Sequence, residues 1–129
     1  MKIKIRAWDN DAQKMYYGAQ ELFDDMLGFR FEHFELDAEP VFMMSTGRKD
    51  EYKSTEIYAD DVIEFYDNVM HEGTHAVVVW HKDNAAFYYK FIDGEYKGLY
   101  APMNDDWRKH KIIGNIHENP ELMEVDNES

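Results

Sequence analysis

The chain contains no cysteine. This absence excludes disulfide bridges, thiolate metal ligands and a cysteine nucleophile, and it fits a reducing cytosol. No apolar run approaches the roughly 20 residues that a membrane-spanning helix needs. Residues 1–8 lack the apolar stretch of a signal peptide. We therefore expect a soluble, cytoplasmic protein.

Basic residues are also scarce. The chain has 14 Lys and Arg against 27 Asp and Glu, for a net charge of −13. A DNA-binding protein needs Lys and Arg to neutralise phosphates and release counterions, so these numbers disfavour a general nucleic-acid binder. The acid is uneven: residues 19–44 hold seven acidic residues and one Arg, and residues 115–129 hold five acidic residues and no Lys or Arg. The pattern fits either a solvated surface or an anionic face that docks on a basic partner, such as one that otherwise holds DNA.

Aromatic residues, by contrast, are plentiful. Eight Phe, nine Tyr and three Trp make up 16% of the chain, and hydrophobic residues as a whole make up 44%. Each buried aromatic side chain removes a large area from water, and disordered segments are poor in such residues. A chain of 129 residues with this composition predicts one folded domain, or one domain with a small appendage.

The first third of the chain predicts a hairpin and a short helix. Residues 2–6 alternate charged and apolar, which places Ile3 and Ile5 on one face of a strand. The Asp-Asn-Asp at residues 9–11 predicts a turn, and residues 14–17 predict the returning strand. Residues 19–27 have helical spacing, with Gly28 as a C-cap. Alternation over residues 29–36 then predicts a strand with a break near His33.

The rest of the chain predicts a series of short strands separated by polar turns. After a short apolar run at residues 41–44 and a loop at 48–54, strands are predicted over residues 61–66, 76–81, 86–92 and 109–117, and residues 96–100 are a candidate to pair back. Such spacing is typical of a small barrel. The predicted fold is α+β, mostly β: an N-terminal hairpin and short-helix region at 1–44, an SH3-like small β-barrel at 45–122, and an acidic tail at 123–129.

One motif suggests zinc chemistry. His71, Glu72 and His75 match H-E-x-x-H, which in zinc proteases works on a helix that puts both His on one face. Here Gly73 weakens a helix by about 1 kcal/mol, strand patterns flank the motif closely, and no third ligand has the usual spacing. A metal-dependent hydrolase is therefore only a weak alternative. Adventitious metal capture by His71, His75 and His81 is favoured over catalysis.

Other polar and aromatic groups have structural explanations that we prefer. His117 and Glu118 could form an acid–base pair, but a His at a strand end is more often hydrogen-bonded locally. The acidic pairs at residues 24–25, 60–61 and 105–106 suit turns and caps. The aromatic run at residues 87–89 could stack single-stranded nucleic acid. The shortage of positive charge favours instead a core position for alternate members and a subunit interface for the others.

Four blocks together resemble the YopX family of phage and prophage proteins. Residues 45–50 resemble its Thr-Gly-x-x-Asp loop, residues 56–63 its strand entry, and residues 113–122, Ile-Gly-Asn-Ile-His-Glu-Asn-Pro-Glu-Leu, its closing signature. Residues 3–9 with 14–17 form the fourth block. Asp60 stands where the family usually has Gly; if that turn needs a positive φ, Asp tolerates it at modest cost. In the closing block we expect Ile113 and Ile116 in the core, a bulge at Gly114-Asn115, and a strand that ends at Asn119-Pro120.

The resemblance implies the fold, a phage or prophage origin and self-association, but it carries over no catalytic residue, because the family has no established biochemical activity. We therefore predict no catalytic residue, metal ligand or cofactor. The favoured function is that of a non-enzymatic accessory protein, located in the host cytoplasm, that forms a homo-oligomer or contacts a host or phage protein. The alternative is a nucleic-acid-binding small barrel with a local basic patch, for which the available residues are Arg48, Lys49, Lys53, Arg108, Lys109 and Lys111.

Overall fold

The computed structural model describes residues 4–18, 41–66, 73–103 and 109–124. The chain divides into two compact units, Met1–Ser45 and Thr46–Ser129. The described residues are mostly β, in nine strands with one short 3₁₀ helix. None of them forms a helix with the length and apolar character needed to cross a membrane. The predicted helix at 19–27 and the predicted strand at 29–36 lie outside the described residues.

The first unit is built on a hairpin. Strand β1 (Ile5–Asp9) pairs antiparallel with β2 (Lys14–Tyr16) and with the start of β3 (Val41–Lys49). The Asp9 carboxylate closes the hairpin turn by accepting the backbone N–H groups of Asp11 and Ala12. The four consecutive residues from Ile5 to Trp8 are all buried. Because neighbouring residues of a strand point to opposite faces, β1 is covered on both faces.

The second unit contains a five-stranded antiparallel sheet in the order β8-β7-β6-β5-β9. The remainder of β3 lies beside β4 (Glu56–Tyr58), and the Thr46 hydroxyl donates to the Ile57 carbonyl there. The sheet strands are β5 (Asp61–Tyr66), β6 (His75–His81), β7 (Ala86–Phe91), β8 (Tyr100–Pro102) and β9 (Lys109–Asn115). The 3₁₀ helix follows at Pro120–Met123.

The two faces of this sheet carry separate apolar clusters. On the face that we call inner, the larger cluster packs around Phe65, Val78, Tyr89 and Phe91. The ring of Phe65 meets Tyr89 edge-on at 5.3 Å between centroids. On the opposite, outer face, Val62, Val77 and Ile92 are buried. Ile113 of β9 packs on them, as do Ile116 and Leu122 of the C-terminal turn. Period-two alternation therefore sends neighbouring residues of one strand into different cores.

Several predicted boundaries need correction. Strand β3 continues through Lys49, because pairing beside β4 holds a polar, Gly-containing stretch extended. Strand β4 has no counterpart among the predicted strands. The return strand predicted at 96–100 begins only at Tyr100, since a turn occupies residues 95–98. The last strand was predicted to run to His117, yet it ends at Asn115, where the chain turns.

Candidate functional site

A row of charged side chains crosses the outer face of the sheet. The strand register places Glu64 directly opposite His75 on β6 and Lys111 on β9. The Lys111 Nζ lies 3.3 Å from Glu64 Oε1, and Glu64 Oε2 lies 3.0 Å from His75 Nε2. Asp93 completes the row, with its Oδ2 2.5 Å from His75 Nδ1. These four residues form what we call the ionic row.

His75 is the centre of the ionic row and is engaged at both ring nitrogens. Its backbone N–H also donates to Asp93 Oδ1 at 2.8 Å. Asp93 therefore binds both the backbone and the ring of His75, and it ties the turn after β7 to the start of β6. This arrangement anchors the start of β6 and gives both ring nitrogens of His75 a carboxylate partner.

The C-terminal part of the H-E-x-x-H motif is not helical, unlike the same part of a zinc site. Gly73 has a φ of +74° and His75 is the first residue of β6, whereas the zinc motif needs both His on one helical face. His71 and Glu72 lie outside the described residues. His81 lies at the far end of β6, where its ring packs tilted on Tyr88 and edge-on against Tyr100. Within the four described ranges, no group of three or more His, Asp or Glu side chains has an arrangement that could hold a metal ion.

The Thr-Gly-x-x-Asp block folds into a closed turn around Asp50, which is only 4% exposed. Asp50 Oδ1 accepts the backbone N–H groups of Lys53 and Thr55 at 3.1 and 2.9 Å. Its Oδ2 accepts the N–H of Ile112, on β9, at 3.1 Å. The motif aspartate thus shapes one turn and fastens it to a distant strand.

The polar groups of the closing signature, residues 113–122, are likewise hydrogen-bonded within the turn that they form. Asn115 is buried, and its Oδ1 accepts the N–H groups of His117 and Glu118 while its Nδ2 donates to Glu118 Oε1. The Asn115 N–H donates to Asn119 Oδ1. A Cβ on Gly114 would lie 2.4 Å from that same oxygen, so only Gly fits there. The bulge lies next to the expected position at Gly114-Asn115. Val62 pairs with Gly114 and Ile63 pairs with Ile112, so Ile113 has no register partner on β5.

The acidic pair at residues 60–61 serves two different turns. Asp61 is buried and its Oδ2 accepts the Tyr58 N–H at 2.8 Å. Asp60 has a φ of +73°, as expected for a residue in the place of the family Gly. Its Oδ2 lies 2.9 Å from His117 Nε2. Glu118 is thus bonded locally, to Asn115, whereas the His117 ring meets Asp60, 57 residues earlier in the chain. The two side chains have separate partners. The pairs at 24–25 and 105–106 lie outside the described residues.

The aromatic run divides between the two faces, as alternation requires. Tyr89 is 1% exposed in the inner core. Tyr88 lies on the outer face, where its hydroxyl accepts from Asn84 Nδ2 and its ring packs on His81. Phe87 packs edge-on against Trp80, which is about half exposed.

Several of the basic residues converge on an exposed tyrosine. Tyr52 has Lys53 Nζ 5.6 Å and Lys111 Nζ 5.3 Å from its ring centre. The Tyr66 ring meets Tyr52 edge-on at 6.3 Å, and Lys109 is the register partner of Tyr66. Arg108 lies outside the described residues. The sequence prediction named the lysines and missed both tyrosines, because they become neighbours only through the pairing of β5 with β9.

Comparisons with known proteins fit this fold. The family model described as YopX protein matches residues 4–124. Among solved structures, the crystal structure of protein EF1440 from Enterococcus faecalis is similar, with 26% sequence identity and a TM-score of 0.64. That match covers 95% of this chain and 99% of the other. No curated protein matches the chain.

Proposed function

This chain belongs to the YopX family, and from that premise we propose that it is a non-enzymatic phage or prophage accessory protein that works through protein–protein contacts, including contacts with its own copies. The phage origin and the host cytoplasm as its location are part of the proposal. So is the closure of residues 45–122 into an SH3-like small barrel.

The observation that carries the proposal is an exposed aromatic residue on the edge strand β8. Tyr100 is 49% exposed, and Pro102, on the same face of the sheet, is exposed as well. Tyr100 lies on β8, an edge strand of the sheet, and its ring meets that of His81. Interfaces between proteins are enriched in Tyr and Trp relative to the remaining surface. We call Tyr100 and Pro102, which both lie on the outer face, the β8 face; Trp80, opposite Phe87 on the inner face, is not part of it.

The charge distribution supports a contact there. Residues 76–103 contain three Lys and three Asp or Glu, a net charge of zero, whereas the whole chain carries −13. Two copies of an acidic chain repel each other least where the net charge vanishes. The β8 face therefore offers apolar area to a second copy without a large electrostatic cost.

The positions of the family motif residues support a non-enzymatic role. Asp50, Asp61 and Asn115 are all buried, and each satisfies backbone N–H groups of a turn. Side chains used in this way are not available to bind or activate a substrate. The motifs that identify the family thus have a sufficient explanation in the fold.

The remaining negative charge supports a second type of partner, a basic host or phage protein. The C-terminal turn exposes Glu118, Glu121 and Glu124. Such a surface attracts a basic protein by long-range electrostatics, an effect that salt weakens. A pull-down from host cells at low and high salt separates this contact from the apolar one.

Light scattering coupled to size exclusion tests the self-association. The wild-type chain is expected to elute as an oligomer, and Tyr100→Glu to shift it towards the monomer because the charge must be desolvated in the contact. Tyr52→Glu is the matched control: Tyr52 is at least as exposed as Tyr100 but lies outside the β8 face, so the oligomer is expected to persist. A wild-type monomer at high micromolar concentration would remove self-association from the proposal.

A further inference from the structure

Tyr52 and its neighbours Lys53 and Lys111 lie in a locally basic part of an acidic chain. Residues 48–53 and 109–111 hold five Lys or Arg and two acidic residues. Two hydrogen bonds bring these segments side by side: the Glu51 N–H donates to the His110 carbonyl, and the Ile112 N–H donates to Asp50 Oδ2. The two segments together carry a net charge of +3, which the neighbouring Glu64 lowers to +2, against −13 for the whole chain.

Three lysines and two tyrosines of this region form one contiguous patch. Tyr52 is 58% exposed, with an ammonium group near its ring from Lys53 and another from Lys111. Tyr66 packs edge-on against Tyr52, and Lys109 shares its face of the sheet with Tyr66. We call these five residues, Tyr52, Lys53, Tyr66, Lys109 and Lys111, the Tyr52 patch.

We propose that the Tyr52 patch binds single-stranded nucleic acid, with a base stacked against Tyr52 and neighbouring phosphates held by Lys53, Lys109 and Lys111. Proteins that bind single strands combine aromatic side chains, on which bases stack, with basic groups that follow the backbone. Both parts are present here within a few side chains of each other.

The acidic groups around the patch limit what it can hold. Glu64 Oε1 accepts from Lys111 Nζ at 3.3 Å, so part of that charge is shared with the ionic row. Asp50 is buried and turned towards backbone N–H groups, while Glu51 is exposed beside the patch. The patch therefore has the charge for about two or three phosphates. A duplex has a dense row of phosphates that would also meet the acidic remainder of the chain, whereas a flexible single strand can touch the patch alone.

Fluorescence anisotropy with a labelled thymidine oligonucleotide of about ten nucleotides tests the proposal. Binding is expected at low salt. The logarithm of the association constant should fall linearly with the logarithm of the salt concentration, with a slope of about −2, because each of three neutralised phosphates of a single strand contributes about −0.7. Tyr52→Leu is expected to weaken binding about tenfold, in line with the loss of one stacked base. Lys53→Ala is expected to weaken it and to make the salt slope shallower.

The hairpin β1–β2 supplies a matched control, because Lys14 Nζ lies 5.1 Å from the ring of the partly exposed Tyr16. Tyr16→Leu and Lys14→Ala are expected to leave binding unchanged. Thermal unfolding of each variant shows whether it is folded. If Tyr52→Leu is not folded, Lys111→Met provides a second variant of the patch.

Three results would overturn the proposal. The first is no binding at low salt. The second is equal or tighter binding of the duplex of the same sequence. The third is complete displacement of the oligonucleotide by millimolar inorganic phosphate, which would show a simple anion site with no role for the base. Self-association through the β8 face is measured separately, so either idea can fail while the other stands.

Discussion

The Asp50 carboxylate accepts the backbone N–H of Ile112, 62 residues further along the chain. The same carboxylate closes the turn at 50–55 through the N–H groups of Lys53 and Thr55. Ile112 lies in β9, an edge strand of the five-stranded sheet. One buried side chain thereby shapes a local turn and covers part of an otherwise open strand edge.

Asp50→Ala is expected to lower the free energy of unfolding by about 2–4 kcal/mol, because three partly buried backbone N–H groups lose a charged acceptor. Asp50→Asn keeps one acceptor oxygen and replaces the other by an N–H₂ group, so a smaller loss of about 1–3 kcal/mol is expected. Urea unfolding measures both. Equal stability of Asp50→Ala and the wild type would contradict the assigned role of this residue.

Gly114→Ala is expected to destabilise the chain by about 1–3 kcal/mol, since the added methyl group would lie 2.4 Å from Asn119 Oδ1 and 2.9 Å from Leu122 Cδ1. Removing the Asn119 side chain relieves the first clash. The cost of Gly114→Ala should therefore be smaller in an Asn119→Ala background, which a double-mutant cycle of unfolding free energies tests. Additive effects would mean that the two residues do not interact.

Within the ionic row, Asp93 and Lys111 are expected to differ in importance. Asp93→Ala removes the acceptor for both the backbone and the ring of His75, with an expected loss of about 1–3 kcal/mol. Lys111→Met removes an ion pair whose side chains are about one-third exposed, so a change below about 1 kcal/mol is expected. Thermal or urea unfolding ranks the two, and the reverse order would be inconsistent with this geometry.

Tyr88 and Tyr89 are adjacent but lie on opposite faces of β7. Tyr89→Ala is expected to cost about 3–5 kcal/mol because it empties part of the inner core. Tyr88→Ala removes a half-buried ring and one hydrogen bond to Asn84, with an expected cost of about 1–2 kcal/mol. Comparable losses of stability for the two would argue against the assigned faces.

The strands with strong local patterns were predictable from sequence. Residues 61–66 were predicted as a strand and form β5, and the β-branched run before His81 forms most of β6. The Thr46–Lys49 part of β3 was not predictable, because its polar residues and Gly47 have no strand pattern and only pairing beside β4 holds them extended. The end of the last strand was misplaced because the side chain of Asn115 turns the chain before the Asn119-Pro120 break.

The sequence by itself determined the period-two alternation, the turn residues and the motif blocks, since these depend on neighbours along the chain. It therefore indicated a mostly β protein of the YopX family and located most of its strands. Only the tertiary structure decided which distant residues meet: Asp50 with Ile112, His75 with Glu64 and Asp93, and Tyr52 with Tyr66 and Lys111. Those contacts depend on the register between strands far apart in the chain, and local periodicity contains no information about that register.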